Sequence, residues 1–154
     1  MAKAAEIDRA DQEPWSFGDK FTAAAKSAIE LRYRLLPYLY SAFWKHTFDG
    51  TPILKPLSFV FQSDENVRGV ENEFMFGMQL LISPVVKKGQ KQQQLYLPEG
   101  NWFDYETGIK YTGGQTITIK TPLSKIPIFV AEGAVIAHYP VQQFVGEKEI
   151  KALE

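Results

Sequence analysis

Residues 30–40 read ELRYRLLPYLY, an apolar and aromatic run that carries Arg32, Arg34 and, near its middle, Pro37. From Phe21 to His46, apolar or small residues recur at the three- and four-residue spacing of an amphipathic helix. A proline inside such a helix removes one backbone hydrogen bond and clashes with the preceding turn, at a cost of about 3 kcal/mol. The run therefore predicts either two helices or one bent helix wrapped on a curved core.

The ends of this helical segment carry recognisable signals. Asp19 is the expected N-cap, and Asp49-Gly50 followed by Pro52 is a conventional stop. Because the spacing continues between these signals, we expect about seven turns of helix in total.

After Pro52 the pattern is typical of strands. We expect a buried strand over 52–61, a polar connection over 63–69, a short helix or turn over 70–77 and a second apolar strand over 79–86. From Gln92 onward, short strand patterns follow one another at intervals of about eight to twelve residues, separated by glycines, which indicates an antiparallel sandwich or barrel. The last strand patterns in this series are AVIAHYP (134–140) and EKEIKALE (147–154), of which the latter stops midway, as in a truncated chain.

Composition excludes several classes of function. The 154 residues include 17 Lys plus Arg and 18 Asp plus Glu, a formal charge of -1, so we expect neither nucleic acid nor a membrane surface as partner. The absence of cysteine removes thiol catalysis and cysteine-ligated zinc, and His46 and His138 are too far apart for a local metal motif. No cofactor motif, signal sequence or membrane span is recognisable, and the cellular compartment stays open.

The acidic residues give no catalytic pattern of their own. Asp64 and Glu65 read as a solvated loop, and Asp104 and Glu106 flank a hairpin turn in DYETG. The cluster around Asp8 and Asp11 precedes the helix and favours capping or salt bridging. Neither a nucleophile elbow nor a phosphate-binding loop occurs.

Aromatic residues in NWFDY could form a sugar-stacking platform, because flat rings suit the apolar faces of pyranoses. Strand alternation puts Trp102 on the face opposite to Phe103 and Tyr105, so one set is expected in the core. Trp102 and Tyr105 are the sugar-stacking candidates, with a core role as the alternative.

Five segments in this order resemble glycoside hydrolase family 31, the family of α-glucosidases and α-xylosidases. They are QEPWSFG (12–18), IELRYRLLPYLYSAFW (29–44), TPILKPLSFVF (51–61), EFMFGMQLLISPVV (73–86) and the stretch from LYLPEG to AEGAVI (95–136). The resemblance covers roughly residues 12–140.

The resemblance implies an α+β fragment, made of a long bent helix and the last strand of a (β/α)₈ barrel followed by an antiparallel β-sandwich. Residues 1–78 would be the C-terminal part of the barrel, and residues 79–154 the proximal β-domain, truncated at its end. Pro37 would then bend an outer helix around the barrel.

The family reaction implied by this resemblance is retaining hydrolysis of α-glycosides by an aspartate nucleophile and an acid/base aspartate. In the family both lie in barrel segments that precede QEPW, so no catalytic residue, cofactor or metal ligand is assigned here. Asp8, Arg9 and Gln12 would lie just beyond the rim of the active site and are the substrate-proximal candidates.

Three roles follow for the chain. It would close the barrel and support the active-site loops of an α-glycoside hydrolase, or act as a noncatalytic carbohydrate-binding module, or serve for oligomerisation. The isolated chain is expected to be inactive. For the barrel face that the remaining units would cover, we expect either docking of the helix onto the β-sandwich or self-association with another copy.

Overall fold

The computed structural model describes residues 11–150. Within these residues, turns and loops connect three helices and eight strands, which gives the predicted α+β composition. Short 3₁₀ turns cover Pro14–Phe17 and Glu65–Val67. The helices are α1 (Asp19–Arg34), α2 (Leu36–Asp49) and α3 (Leu57–Val60), and the strands are β1 (Leu54–Pro56), β2 (Phe74–Phe76), β3 (Leu80–Ile82), β4 (Gln92–Leu97), β5 (Asn101–Asp104), β6 (Lys110–Thr112), β7 (Gln115–Lys120) and β8 (Ile128–Ala131).

Pro37 lies in the first turn of α2, because the helical segment divides into two helices at Leu35. The N–H groups of a first turn have no partner within their own helix, so a proline there sacrifices no hydrogen bond. The backbone stays nearly helical through the junction, since the Leu35 amide donates to Leu31 and the Leu39 amide donates to Leu35. The two-helix alternative is therefore confirmed.

Both ends of the helical pair are set by glycines. Gly18 precedes α1, so Asp19 is the first helical residue and not the N-cap that we expected. Gly50 ends α2 in the left-handed conformation with φ 74, and its amide donates to the His46 carbonyl. The stop predicted at Asp49-Gly50 is confirmed.

A six-stranded antiparallel sheet forms the centre of the fold. Its strands lie in the order β1, β2, β3, β8, β5 and β6, with Leu81 opposite Phe129 and Trp102 opposite Ala131. Because β1 and β2 come before residue 78 and the other four strands after it, the two regions distinguished in the sequence share one sheet.

The main core lies between this sheet and a second, two-stranded one. Strands β4 and β7 pair antiparallel over six residues each and turn apolar side chains toward the larger sheet. Each fully buried Val, Leu, Phe or Met side chain contributes about 1.5 to 3 kcal/mol. The buried members of this core are Leu57, Val67, Met75, Leu81, Leu95, Leu97, Trp102, Ile119 and Phe129.

The opposite face of the six-stranded sheet packs against the junction of α1 and α2. Leu80 and Ile128 turn toward the helices, whereas their neighbours Leu81 and Phe129 turn into the main core, as strand alternation requires. Leu35 and Tyr38 complete this smaller core. The fold is thus three layers: helices, a large sheet and a two-stranded sheet.

Tyr38 binds the helices to the β2–β3 turn. Its hydroxyl donates to the Phe76 carbonyl at 2.7 Å and accepts from the Gln79 amide at 3.3 Å. Gly77 has φ +62, and a Cβ at that position would overlap the Tyr38 hydroxyl. From the sheet side, the buried Lys55 Nζ donates to the Gly77 carbonyl at 3.0 Å, and burial lowers the pKa of this ammonium group.

Several local predictions were wrong. The apolar run 52–61 gives only the short strand β1 before turning into α3, and 70–77 contains strand β2 where a short helix or turn was expected. AVIAHYP forms no regular element, although the Tyr139 amide donates to the Arg34 carbonyl. In EKEIKALE, residues 147–150 form no strand, and residues 151–154 lie outside the described part.

Replacement of Gly77 by alanine should strongly destabilise the chain. The new Cβ would occupy the space of the Tyr38 hydroxyl, and alanine disfavours the positive φ of this turn. We expect Gly77→Ala to lower the free energy of unfolding by about 2 to 4 kcal/mol, measured as a shift of the urea midpoint.

Gly69→Ala is the matched control, because nothing lies within 4 Å of a Cβ at Gly69. We expect its midpoint to stay close to that of the wild type, within about 0.5 kcal/mol. Equal midpoints for the two variants would mean that the contact between Tyr38 and Gly77 is absent from the folded chain in solution.

Candidate functional site

A cleft of about 580 Å³ lies between α1 and the end of β5, and it contains Tyr105. Arg34 and Glu30 reach it from the helix, while Tyr105, Lys125 and His138 line it from the sandwich side. Within residues 11–150, this cleft is where Tyr105, one of the two residues predicted to stack on a sugar, meets polar and charged side chains.

Asp104 sets the position of Tyr105 by closing the turn after β5. Its carboxylate accepts from the Glu106 amide at 3.0 Å and the Thr107 amide at 2.9 Å, and its other oxygen accepts from Lys125 Nζ at 2.8 Å. Burial acts to raise the pKa of Asp104, but the bonds from Lys125 and Thr107 outweigh it and hold that pKa below its usual 3.8. The bonds from the Glu106 and Thr107 amides explain why DYETG forms the turn that its sequence predicts.

Tyr105 and His138 form the polar pair of the cleft. The phenol oxygen lies 2.7 Å from His138 Nε2, and the two rings meet edge to face at a centroid distance of 5.8 Å. Burial raises the pKa of Tyr105, and the positive charge of Arg34 opposes this effect. A ring with a hydroxyl, an imidazole and a guanidinium around it can bind a neutral polar molecule such as a sugar.

Trp102 lies in the main core and not in the cleft. Its side chain is 3% exposed, its indole N–H donates to the Pro98 carbonyl at 2.8 Å, and Phe61 packs edge to face at 6.2 Å. No ring face of Trp102 is open for a sugar, so the core alternative describes this residue. The alternation that separated Trp102 from Tyr105 in the sequence agrees with the burial along β5.

Of the substrate-proximal candidates, Gln12 is the one that the structure describes. Asp8 and Arg9 lie outside the described residues. Gln12 is exposed ahead of α1, its amide donates to Glu13 Oε2 at 3.1 Å, and it is not among the residues that line the cleft.

Other carboxylates with shifted pKa values hold strands and turns together. Asp64 accepts from the Tyr96 hydroxyl at 2.7 Å, and this bond lowers the pKa of Asp64. Glu73 is buried just before β2 and accepts from the Tyr96 amide through both oxygens, at 3.0 and 3.2 Å. Burial raises the pKa of Glu73 to about 7, and the Tyr96 amide opposes that shift.

Residues 11–150 contain no group of three or more His, Cys, Asp or Glu side chains arranged to hold a metal ion. None of the helices described there combines the length and the apolar character needed to cross a bilayer.

The sequence reasoning missed His138 and Arg34. Tyr105 is separated from His138 by 33 positions along the chain, and the strand pattern read from AVIAHYP hid the loop that delivers the imidazole. Arg34 was visible as part of ELRYRLLPYLY, but its place beside Tyr105 depends on how the helices pack on the sheet.

Comparison with protein families divides the chain at the end of the helical pair. Residues 1–42 match the family model described as the glycosyl hydrolases family 31 TIM-barrel domain. Residues 50–136 match the one described as the glycosyl hydrolase family 31 C-terminal domain. The fold predicted from the sequence, the end of a barrel followed by a β-domain, is confirmed.

Characterised relatives are similar over most of this chain but are far longer. The chain is 40% identical to alpha-glucosidase 2 of Bacillus thermoamyloliquefaciens over 126 residues, which is 82% of the chain and 16% of that protein. It is also 40% identical to an alpha-xylosidase of Saccharolobus solfataricus, over 81% of the chain and 17% of that protein. The chain thus spans about a sixth of these relatives.

Solved structures agree with this assignment. The structure of the Flavobacterium johnsoniae GH31 dextranase complexed with glucose superposes with a TM-score of 0.87 at 38% identity, covering 90% of this chain and 17% of the dextranase. Since one family model spans more than half of the chain and the collinear segments extend through the helices, the chain belongs to glycosyl hydrolase family 31.

Proposed function

We propose that this chain closes the barrel and supplies the supporting β-domain of a retaining α-glycoside hydrolase. The observation that carries the proposal is the one-sided packing of α2. Its N-terminal turn is buried on the large sheet at Pro37 and Tyr38, whereas residues 43–50 are all exposed. A helix with this distribution of apolar side chains requires a second body on its open side.

That open side is aromatic, and we call it the aromatic face. Its members are 50 to 78% exposed, and the rings of Trp44 and Phe48 stack at 5.5 Å with 7° between their planes. An apolar surface of this kind fits the neighbouring units of a barrel, which would remove it from water. The aromatic face consists of Tyr40, Phe43, Trp44 and Phe48.

The chemistry would then be supplied by the remaining barrel. Retaining hydrolysis needs two carboxyl groups about 5 Å apart and available to the substrate. Asp104, Asp64 and Glu73 are each occupied by structural hydrogen bonds. We propose 1–78 as the barrel part and 79–154 as the β-domain, with Asp8, Arg9 and Gln12 near the substrate.

Activity should appear when this chain is restored to a complete barrel. We expect no turnover of aryl α-glucoside or α-xyloside by the 154-residue chain alone. A chimaera in which the chain replaces the matching section of the Bacillus α-glucosidase should hydrolyse the glucoside, measured by release of the aryl group.

The same α-glucosidase with the section deleted is the control and should be inactive. Turnover by the isolated chain that survives repurification would place a catalytic carboxyl pair within it. A folded but inactive chimaera would contradict the supporting role.

Charge on the aromatic face should disrupt packing on the barrel and not the chain's own fold. We expect Trp44→Glu to change the unfolding free energy of the isolated chain by less than about 0.5 kcal/mol, since Trp44 is 62% exposed. In the chimaera Trp44→Glu should lower activity about tenfold, because a carboxylate would be buried without a partner.

We also propose that the isolated chain self-associates through the aromatic face. Trp44→Glu should then lower the average mass of the isolated chain that sedimentation measures at high concentration.

Ile109→Glu is the matched control, since Ile109 is 55% exposed in the β5–β6 turn, away from α2. Equal activity of the two chimaeras, together with equal sedimentation of the two isolated variants, would rule out the aromatic face as a contact surface.

A second candidate function is noncatalytic carbohydrate binding in the cleft at Tyr105. The observation that favours it is the convergence of Tyr105, His138 and Arg34 in one concavity. The aromatic ring would contact an apolar sugar face while the surrounding polar groups bind hydroxyls. It is compatible with the supporting role, because the cleft and the aromatic face use different residues.

The two histidines make this binding measurable. Isomaltotriose added to the chain should shift the ring C–H resonances of His138 in an NMR titration and leave those of His46 unchanged, since His46 lies at the end of α2. Tyr105→Ala should abolish the shift, whereas Tyr40→Ala, a control on the aromatic face, should not. An unmoved His138 signal at about 50 mM sugar would exclude even weak binding.

A further inference from the structure

A second and larger groove separates α1 from the sandwich, and its rim is lined by lysines. The groove has a volume of about 1640 Å³. One lysine comes from α1, three from the loop after β3 and one from the end of β7. We call it the lysine groove and define it by Lys20, Lys87, Lys88, Lys91 and Lys120.

These five lysines are exposed and carry no countercharge. None of them forms an ion pair with a residue of the described range, and no aspartate or glutamate lines the groove. Lys125, which also borders the groove, differs because it pairs with Asp104 at 2.8 Å. The groove is therefore a local concentration of positive charge on a chain whose formal net charge is -1.

The floor of the groove is apolar. Phe21 on α1 and Val86, Leu123 and Ile126 on the sandwich side are between 42 and 68% exposed. An apolar floor within a cationic rim matches a ligand that carries both negative charges and apolar groups.

We propose that the lysine groove binds an extended acidic polypeptide segment whose carboxylates contact the rim and whose apolar side chains contact the floor. The groove is larger than the roughly 300 to 1000 Å³ of small-molecule sites, so a chain segment fills it better than a single metabolite. A planar membrane surface cannot follow a concavity. Nucleic acid is disfavoured because the floor offers one aromatic ring, Phe21, for stacking bases. The inference uses contacts within the described residues and does not depend on the hydrolase role.

The test uses the 154-residue chain and a fluorescein-labelled peptide made of Glu-Leu-Glu-Gly repeats, about twelve residues long. Fluorescence anisotropy should show saturable binding at about 50 mM salt that weakens at about 200 mM. The isosteric peptide with glutamine in place of glutamate should bind about tenfold more weakly or worse.

Variants locate the binding on the protein. The double variant Lys88→Glu and Lys120→Glu reverses charge on the rim and should weaken peptide binding about tenfold. The matched control, Lys26→Glu with Lys110→Glu, makes the same change of net charge at exposed lysines that do not line the groove. Leu123→Ser should also weaken binding through the floor, and circular dichroism should verify the fold of each variant.

Four results would overturn the proposal. They are no peptide binding at about 1 mM protein, equal loss in the rim and control variants, equal affinity for a single-stranded oligothymidylate, or unchanged affinity for the glutamine peptide. If the peptide fails to bind and the rim variant instead alters sedimentation of the chain, a second copy occupies the groove and the acidic-segment proposal is wrong.

Discussion

The hydroxyl group of Tyr38 connects the helical layer to the sheet, and the rest of the structure depends on that connection. It bonds to the backbone on both sides of the β2–β3 turn, at the Phe76 carbonyl and the Gln79 amide. Tyr38 reaches this turn because Pro37 places the start of α2 against the sheet, and the turn can receive it because Gly77 lacks a side chain. Lys55 holds the same turn from β1. A few bonds at one turn thus orient the helices, the large sheet and the clefts between them.

In this arrangement, the main core that stabilises the fold lies apart from the surfaces that are available for binding. The main core lies between the two sheets, on the far side of the large sheet from the helices. Along α1 the residues that face the sandwich are small, such as Ala24 and Ala28, so the helix borders open clefts instead of a packed core. Exposed side chains of those clefts, such as Val86 and Leu123, therefore lie outside the central packing.

Local signals in the sequence were sufficient for the break near Pro37, the stop at Gly50 and the short strands between Gln92 and Ala131, but not for the two strand patterns expected after them. Pro37 and Asp49-Gly50 act through their own backbones, so their effects are readable without tertiary information. The alternation around Trp102 also predicted that Trp102 and Tyr105 lie on opposite faces, but it left open which of the two rings is buried. The barrel and β-domain assignment came from the order of five segments that resemble a family, and periodicity alone would not have given it.

The features that the sequence did not predict depend on tertiary contacts. Residues 74–76 form β2 because β1 and β3 flank them on both sides, a circumstance that the isolated stretch VENEFMFG does not encode. The approach of His138 to Tyr105 depends on a loop without periodicity. The lysine groove brings together residues as far apart in sequence as Lys20 and Lys120. Their positive charges are not visible in the net charge of -1, because acidic residues elsewhere in the chain offset them. Such constellations arise from packing, and no local window of the sequence contains them.

Glu73 makes the stability of the sandwich depend on pH. Its pKa is raised from 4.5 to about 7 in the folded chain, so the native state holds this proton more tightly than the unfolded state does. The stability contributed by the protonated carboxyl is fully present below about pH 4.5 and is lost as the pH rises through about 7. In the acidic range, where most paired carboxylates weaken a fold, this one acts in the opposite direction, because protonation removes the cost of burying its charge, although it weakens the bond from the Tyr96 amide.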